Sequence, residues 1–316
     1  MNMVDISVVI PCYRCDASLK ELSARLRKVL LELGTSYEII LVNDGSPARD
    51  WEVIQEIVQE DEHVLGINLS RNFGQHFAIT AGIDFCSGQW LVVMDGDLQD
   101  LPEEIPKLYA YAQGGYDAVV GIRKERKDTF FKKVSSWSFY LVYNYLSGAH
   151  IKNSIGNYGI YSRKVVEAVK SMREHNRSFG LFVLWAGFKR IEVEIEHAAR
   201  KAGMSSYTFY KMMSLAFDSI VAHSNKLLKI TVLSGFTIAL LSFLVVLSMV
   251  LLRLSGWAAV PGWMSGVAST YLMGGMVICA IGVVGIYVGK VFDEVKGRPL
   301  YLVAEIIGGQ KGVESP

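Results

Sequence analysis

An excess of charge of either sign is missing from this sequence: 32 Lys and Arg stand against 31 Asp and Glu, for a net charge of +1. Nucleic-acid binders normally carry a strongly basic face, so that class of partner is set aside. Cysteine is scarce, with four in 316 residues. Cys12 and Cys15 make one C-x-x-C, but no second pair or His cluster completes a zinc cage, so the spacing reads as chance. With so little cysteine, the globular part is expected to be cytoplasmic and reduced. Met1 to Asp5 hold no basic stretch, so no cleavable signal peptide is expected. The largest gap is toward the C-terminus. No residue is charged from Ile230 to Leu252, and after Arg253 none is until Lys290. A bilayer span takes roughly 20 apolar residues. The tail therefore has room for two such helices, expected at about 230–252 and 269–289, with Pro261-Gly262 as the turn.

What is present ahead of that tail is an alternation of two periods. Ile6 to Ile10 reads as a strand stopped by Pro11, and Asp16-Ala17-Ser18 opens a helix with Ser18 and Glu21 spaced as a capping box. Leu19, Leu22, Leu26, Val29, Leu30 and Leu33 recur at helical spacing, and Gly34 ends the helix. Strands over Tyr37–Val42, Val64–Leu69, Leu91–Met94 and Tyr116–Gly121 alternate with helices starting near Arg49, Gly74 and Pro102. Strand-helix alternation of this length implies right-handed crossovers and a mostly parallel α/β sheet.

Asp95 and Asp97 follow the buried Leu91–Met94 run directly, at the C-terminal end of a strand. In open α/β sheets that edge is where ligands bind. Two carboxylates separated by one small residue, Gly96, suit a hard divalent ion with a diphosphate beside it. By themselves they fit a solvated Asp-Gly turn equally well.

Several ordered motifs decide between those readings. Val9-Ile10-Pro11-Cys12-Tyr13, Val42-Asn43-Asp44-Gly45-Ser46, Ser70-Arg71-Asn72-Phe73-Gly74 and Asp95-Gly96-Asp97-Leu98-Gln99-Asp100 resemble family-2 glycosyltransferases of the Rossmann-like GT-A fold. Within these the chain is similar to the polyprenyl-phosphate glycosyltransferases, the group of dolichol-phosphate mannose synthase and bacterial undecaprenyl-phosphate enzymes. Gly262-Trp263 and Phe292 to Tyr301 extend the likeness into the apolar tail. The resemblance implies a nucleotide-sugar pocket of Pro11, Tyr13, Val42, Asp44, Asp95, Gly96 and Asp97. It implies a Mg²⁺ or Mn²⁺ site at Asp95, Asp97 and Gln99, with Asp95, Asp97, Arg123 and Arg200 as the catalytic set. The acceptor phosphate falls to Arg123, Arg126, Arg200 and Ser205; on pattern alone, Arg126 and Lys124 read as solvated charges. Three positions depart from the family pattern: Asn157 stands where many members have an aspartate proposed as a base, Cys15 where they have glutamate, and Ser206 where they have lysine.

Phe130, Val134, Trp137, Leu141 and Tyr145 form an apolar stripe flanked by Lys132 and Lys133, and Phe209, Met212, Met213, Ala216, Phe217 and Ile220 form a second. Both are expected as amphipathic helices in the bilayer interface, over about 129–147, within a GT-A domain of 1–207, and over 208–229, directly after it. A membrane hairpin at 230–292 and a tail at 293–316 follow. Lys226, Lys229, Lys290, Lys296 and Arg298 flank the spans, which by the positive-inside rule puts both termini and the catalytic domain in the cytoplasm, with the chain multi-pass in the inner (plasma) membrane. Gly285 and Gly289 make a G-x-x-x-G, and the bacterial relatives imply a homo-oligomer, a tetramer.

The expected activity is a metal-dependent, inverting, hexosyltransferase-type transfer from a UDP- or GDP-linked sugar to undecaprenyl phosphate, serving cell-surface polysaccharide or lipid glycosylation. A family-2 enzyme acting on a glycan hydroxyl or glycerolipid is the alternative. A processive form of it would carry Gln-x-x-Arg-Trp, which is absent. A non-catalytic subunit for lipid-linked sugar translocation is the alternative of another class. Two spans are few for a translocation path, and such a subunit would have no use for the acidic pair.

Overall fold

The computed structural model describes residues 4–123, 156–198, 224, 226–255 and 262–309. The expected interfacial helix at 129–147 lies outside these residues, as do Arg126, Arg200 and Ser205; of the one expected at 208–229 only 224 and 226–229 are described, and Lys226 already opens the first apolar helix. The chain divides into two units: an α/β unit of Met1–Thr129, Lys152–Ser205 and Arg298–Pro316, and a second of Phe130–Ile151 and Ser206–Gly297.

In the α/β unit the elements run β1 (Ile6–Cys12), α1 (Asp16–Glu32), β2 (Tyr37–Asn43), α2 (Asp50–Glu60), β3 (Val64–Leu69), α3 (Gln75–Phe85), β4 (Trp90–Val93), a 3-10 turn (Pro102–Glu104), α4 (Ile105–Gln113) and β5 (Ala118–Arg123). Then come β6 (Gly159–Ser162), α5 (Arg163–Ser171), α6 (Phe179–Ala186), β7 (Arg190–Ile195) and, far along the chain, β8 (Val303–Gly308). They build one sheet in the order β7-β5-β6-β4-β1-β2-β3-β8. Strands β1 to β4 are mutually parallel, while β6 and β8 run against their neighbours. The four parallel strands are almost wholly buried, as continuous apolar runs covered on both faces must be. One core layer lies under α1, α2 and α4, and a second under α3, α5 and α6.

Two local expectations are corrected. Pro11 does not stop β1; the strand continues to Cys12, in register with Val42 and Asn43. Proline is tolerated in this central strand because the ladder to β4 ends at Val9 and Val93, while the Cys12 carbonyl still accepts from Asp44 N on the β2 side. The capping box is absent as well. Cys15 is the N-cap without a side-chain cap bond, and the Ser18 hydroxyl instead donates to the carbonyls of Cys15 (2.7 Å) and Gly96 (2.6 Å). It thereby ties α1 to the acidic loop.

The second unit holds α7 (Lys226–Leu254) and α8 (Trp263–Val295). Windows of Leu228–Val245 and Ser269–Val295 within them are long and apolar enough to cross a membrane. The two helices face each other: Leu228, Thr231, Val232 and Phe236 line an apolar cleft with Ala280, Ile281 and Val284, and Tyr287 donates to the Ser224 carbonyl.

Candidate functional site

After β3 the chain returns past β1 to form β4, so β1 is flanked by β2 on one side and β4 on the other. This is the point where strand order reverses, and loops leaving adjacent strands there part to open a crevice. Tyr13 and Arg14 leave β1, Asp44 to Ser46 leave β2, and Asp95 to Asp97 leave β4. The antiparallel pairing Val93 with Gly159 brings Asn157 to the same edge, and Val120 with Gly159 does so for Arg123, which pairs with Ile195 at the end of β7. Strand spacing of ~4.8 Å puts the β5 end about 10 Å across the sheet from β4.

The acidic loop is held by hydrogen bonds within itself and from α3. Asp95 N donates to Asp100 Oδ2 (3.1 Å), and Asp95 Oδ1 accepts from Gln75 Nε2 (2.6 Å). Asp97 accepts from the Gln99 backbone (3.1 Å) and from the Gln99 side-chain amide (2.8 Å). Gly96 is buried where a Cβ would meet Cys15 Sγ at 2.9 Å, so the loop can sit this close to α1 only with glycine there. The loop is also stitched to the end of β7. Asp100 and His197 form an antiparallel bridge, Ala198 N donates to the Gln99 carbonyl, and the His197 ring lies 3.2 Å from Gln99 Oε1 and 3.5 Å from Asp100 Oδ1.

Asp44 is 2% exposed, and its carboxylate turns back onto the chain, accepting from Phe73 N (2.7 Å) and Gly74 N (2.9 Å). Burial raises its pKa above the usual carboxylate range, against the pull of those two amides and the Arg71 charge. Gly45 follows at φ +56°, where a Cβ would fall 2.3 Å from the Arg71 carbonyl carbon; a left-handed glycine is what lets the two loops touch. Tyr13 is 44% exposed with the Arg14 guanidinium 5.5 Å from its ring, a flat surface at the mouth of the crevice. Pro11 is buried, and the Val42 side chain is in the core rather than at the edge. Asn157 is half-buried just before β6, and its carbonyl accepts from Tyr161.

Cys12 and Cys15 are buried free thiols. Cys15 donates to Asp50 Oδ1 at 3.1 Å, and the Cys12 side chain, burial and the Asp50 charge all push its pKa up, which keeps it protonated. Among the described residues no three His, Cys, Asp or Glu side chains gather to hold a metal. Asp95 and Asp97 nevertheless offer the hard oxygen donors that Mg²⁺ and Mn²⁺ prefer, whereas Gln99, expected as a third ligand, turns its amide nitrogen to Asp97 and its oxygen to His197. Such ions keep several waters and bind through one or two carboxylates plus substrate phosphates, so a two-aspartate set at an open edge fits them.

The structure thus gathers Pro11, Tyr13, Asp44, Asp95, Asp97, Gln99, Asn157 and the Arg123 backbone at one sheet edge. Gln75, Asp100 and His197 belong to the same edge and were not expected there. Asp100 could have been found from its place in the acidic string, whereas Gln75 and His197 carry no spacing signal of their own.

The pattern of glycosyl transferase family 2 matches residues 7–170. The chain is 36% identical over 306 residues to the uncharacterized glycosyltransferase YkcC of Bacillus subtilis (strain 168), covering 96% of this chain and 95% of that one. It is 35% identical over 316 residues to the undecaprenyl-phosphate 4-deoxy-4-formamido-L-arabinose transferase of Proteus mirabilis (strain HI4320), covering 97% and 95%. Among solved structures it resembles glucosyl-3-phosphoglycerate synthase from Mycobacterium tuberculosis, determined with Mn²⁺, UDP and glucosyl-3-phosphoglycerate. That match has a TM-score of 0.50 at 15% identity over 69% of this chain and 78% of that one. At that identity the likeness is one of fold.

Proposed function

Because this chain belongs to glycosyl transferase family 2, with a GT-A α/β sheet, we propose that it moves a sugar from a UDP- or GDP-linked donor onto undecaprenyl phosphate at the cytoplasmic face of a membrane. The observation that carries this reading is likeness along 97% of the chain, apolar helices included, to relatives named for undecaprenyl phosphate. The membrane itself is supported by two helices that pass the length and hydropathy requirement for crossing it. A homo-oligomer, a tetramer, belongs to this proposal, with Gly285 and Gly289 of α8 as the small residues that permit close helix packing.

In the reaction a phosphate oxygen of the lipid attacks the anomeric carbon, and a C–O bond to that carbon forms as the bond to the donor diphosphate breaks. The nucleoside diphosphate leaves with the electron pair, and the anomeric centre inverts. Asp95 and Asp97, the latter steadied by Gln99, would hold the Mg²⁺ or Mn²⁺, which when bound supplies Lewis-acid neutralisation of the leaving diphosphate. Tyr13, 44% exposed, offers the base a face to stack on. The buried Asp44 fixes the β3–α3 loop beside it through Phe73 and Gly74. Arg123, Arg126, Arg200 and Ser205 are assigned to the acceptor phosphate, for which a guanidinium fork is the better match in shape and charge.

No strong base is needed at Asn157. A phosphate monoester has its second pKa near 6, so at neutral pH it is already largely a dianion. Positioning and charge then account for most of the rate.

The direct test incubates membranes containing the protein with a panel of radiolabelled nucleotide sugars, undecaprenyl phosphate and Mn²⁺. Label is expected in the lipid phase with one donor, and expected to disappear when the polyprenyl phosphate is omitted. Label entering a glycan or glycerolipid instead would establish the other acceptor class, and no transfer with any donor would favour a non-catalytic role. Asn157→Ala should retain measurable transfer, whereas Arg123→Ala and Arg200→Ala should lose it. The opposite ranking would point to a hydroxyl acceptor.

A further inference from the structure

Both aspartates of the acidic pair are gripped by a side-chain amide, from different parts of the fold. Gln99, in the pair's own loop, holds Asp97 at 2.8 Å. Gln75, the first residue of α3, reaches Asp95 Oδ1 at 2.6 Å from twenty residues away. The stem that presents Gln75 is anchored on several sides. Asp44 binds the two amides just before it, and His76 just after it accepts from Phe179 N at 3.4 Å through Nδ1. Thr80, which donates to the His76 carbonyl, in turn accepts from the buried Arg177 (2.8 Å). An exposed glutamine on a free loop would sample many rotamers; on this stem only its own side-chain torsions remain to be set.

The type of donor matters as much as its reach. An amide N–H orients a carboxylate while leaving its full negative charge in place. A lysine or arginine there would neutralise that charge and compete with a cation. We infer that Gln75 is a positioning residue for the proposed metal-dependent transfer: it sets the rotamer of Asp95 so that the pair meets a divalent cation and donor diphosphate already arranged. This inference rests on the reading given above. It assigns a role in the site to α3, an element outside the acidic motif.

The test uses the full-length protein in detergent. Mn²⁺ alone is titrated and followed by the electron paramagnetic resonance of the free ion, beside thermal melting and donor kinetics as a function of Mn²⁺. Gln75→Met keeps the length and removes the donor; Gln75→Lys keeps the reach and adds a positive charge. Partners that orient a ligand typically change metal affinity by 10–100-fold. Gln75→Met should therefore bind Mn²⁺ about 10-fold more weakly and need correspondingly more Mn²⁺ for half-maximal rate, and Gln75→Lys should be weaker still. The melting temperature and the donor KM at saturating Mn²⁺ should not move. A merely structural, exposed glutamine would tolerate lysine, so Mn²⁺ binding by both variants equal to wild type overturns the inference and leaves the proposed function standing. Wild-type protein lacking any Mn²⁺ binding that Asp95→Asn or Asp97→Asn removes would overturn the metal reading, and this inference with it.

Discussion

Leucine and isoleucine are treated in opposite ways in the two units of this chain. In the α/β unit Leu22, Leu26, Ile39 and Ile40 are completely buried. In α7 and α8, Leu233 is 66% exposed, Phe236 70% and Ile278 72%, and both apolar windows are unburied along their length. The hydrophobic effect acts on both sets alike, since it depends on apolar area and not on the element that bears it. The sheet satisfies it by packing two layers of helices against itself. The paired helices leave it unsatisfied in water, so the surface they show is suited to an apolar medium. Chemistry is segregated in the same way: charged and amide side chains converge at one edge of the sheet, while α7 and α8 expose scarcely any.

The largest effect that would test this division is on the sheet edge alone. Asp97→Ala should lower transfer by at least about 10³-fold, or about 4 kcal/mol at 1.36 kcal/mol per decade, with no change in melting temperature. Wild-type turnover in that variant with Mn²⁺ present would remove the acidic pair from the chemistry. Next comes the core: Leu26→Ala should cost about 2–5 kcal/mol in a urea titration, whereas Leu233→Ala should leave that transition in place. Equal losses at the two sites would mean that α7 is packed like a soluble core helix. Of comparable size is the reverse experiment in α8, where Ile278→Arg should cost about 3 kcal/mol of membrane insertion and reduce the membrane-bound fraction in a sedimentation assay. Unchanged partitioning would argue that this face does not meet lipid.

The smallest effect concerns pH. Burial, with Arg177 adding to it, depresses the pKa of His76 from its usual 6.5 to about 4. Between those values the unfolded chain binds the proton and the folded one does not, so stability is complete above pH 6.5 and declines toward pH 4. Partial exposure reduces the contribution to about 1 kcal/mol. His76→Asn retains an acceptor for Phe179 N and should flatten the melting temperature over that pH range, leaving the behaviour of the helix pair untouched.

Much of this was readable from local pattern. Buried parallel strands are continuous apolar runs, and β1 to β4 are such runs, each delivering its motif to the same edge. The segments that escaped are those whose structure depends on distant partners. Val303–Gly308 forms a strand only because β3, more than two hundred residues earlier, offers it the edge of Leu65 through Leu69. Ser18 has the spacing of a capping residue, yet its hydroxyl is drawn to the carbonyl of Gly96, a loop no window around α1 contains. Pro11 looks like a strand terminator until the register shows that β4 has already ended beside it. Gln75 and His197 are ordinary polar residues in the sequence; only the crossing of α3 and the end of β7 over the acidic loop gives them neighbours that matter.

The placement of β8 has a further consequence for how such a chain is made. Its six residues leave the ribosome after both apolar helices, so the sheet acquires its outermost strand last, and until then the rim of β3 stays open to other unpaired strands. The helix pair is in this sense an excursion from the sheet, pinned covalently at departure and return, and not an appendage trailing from it. Trimming the polypeptide ahead of α7 to obtain a water-soluble fragment would therefore also strip that final strand, leaving an aggregation-prone rim where the intact protein has a covered one.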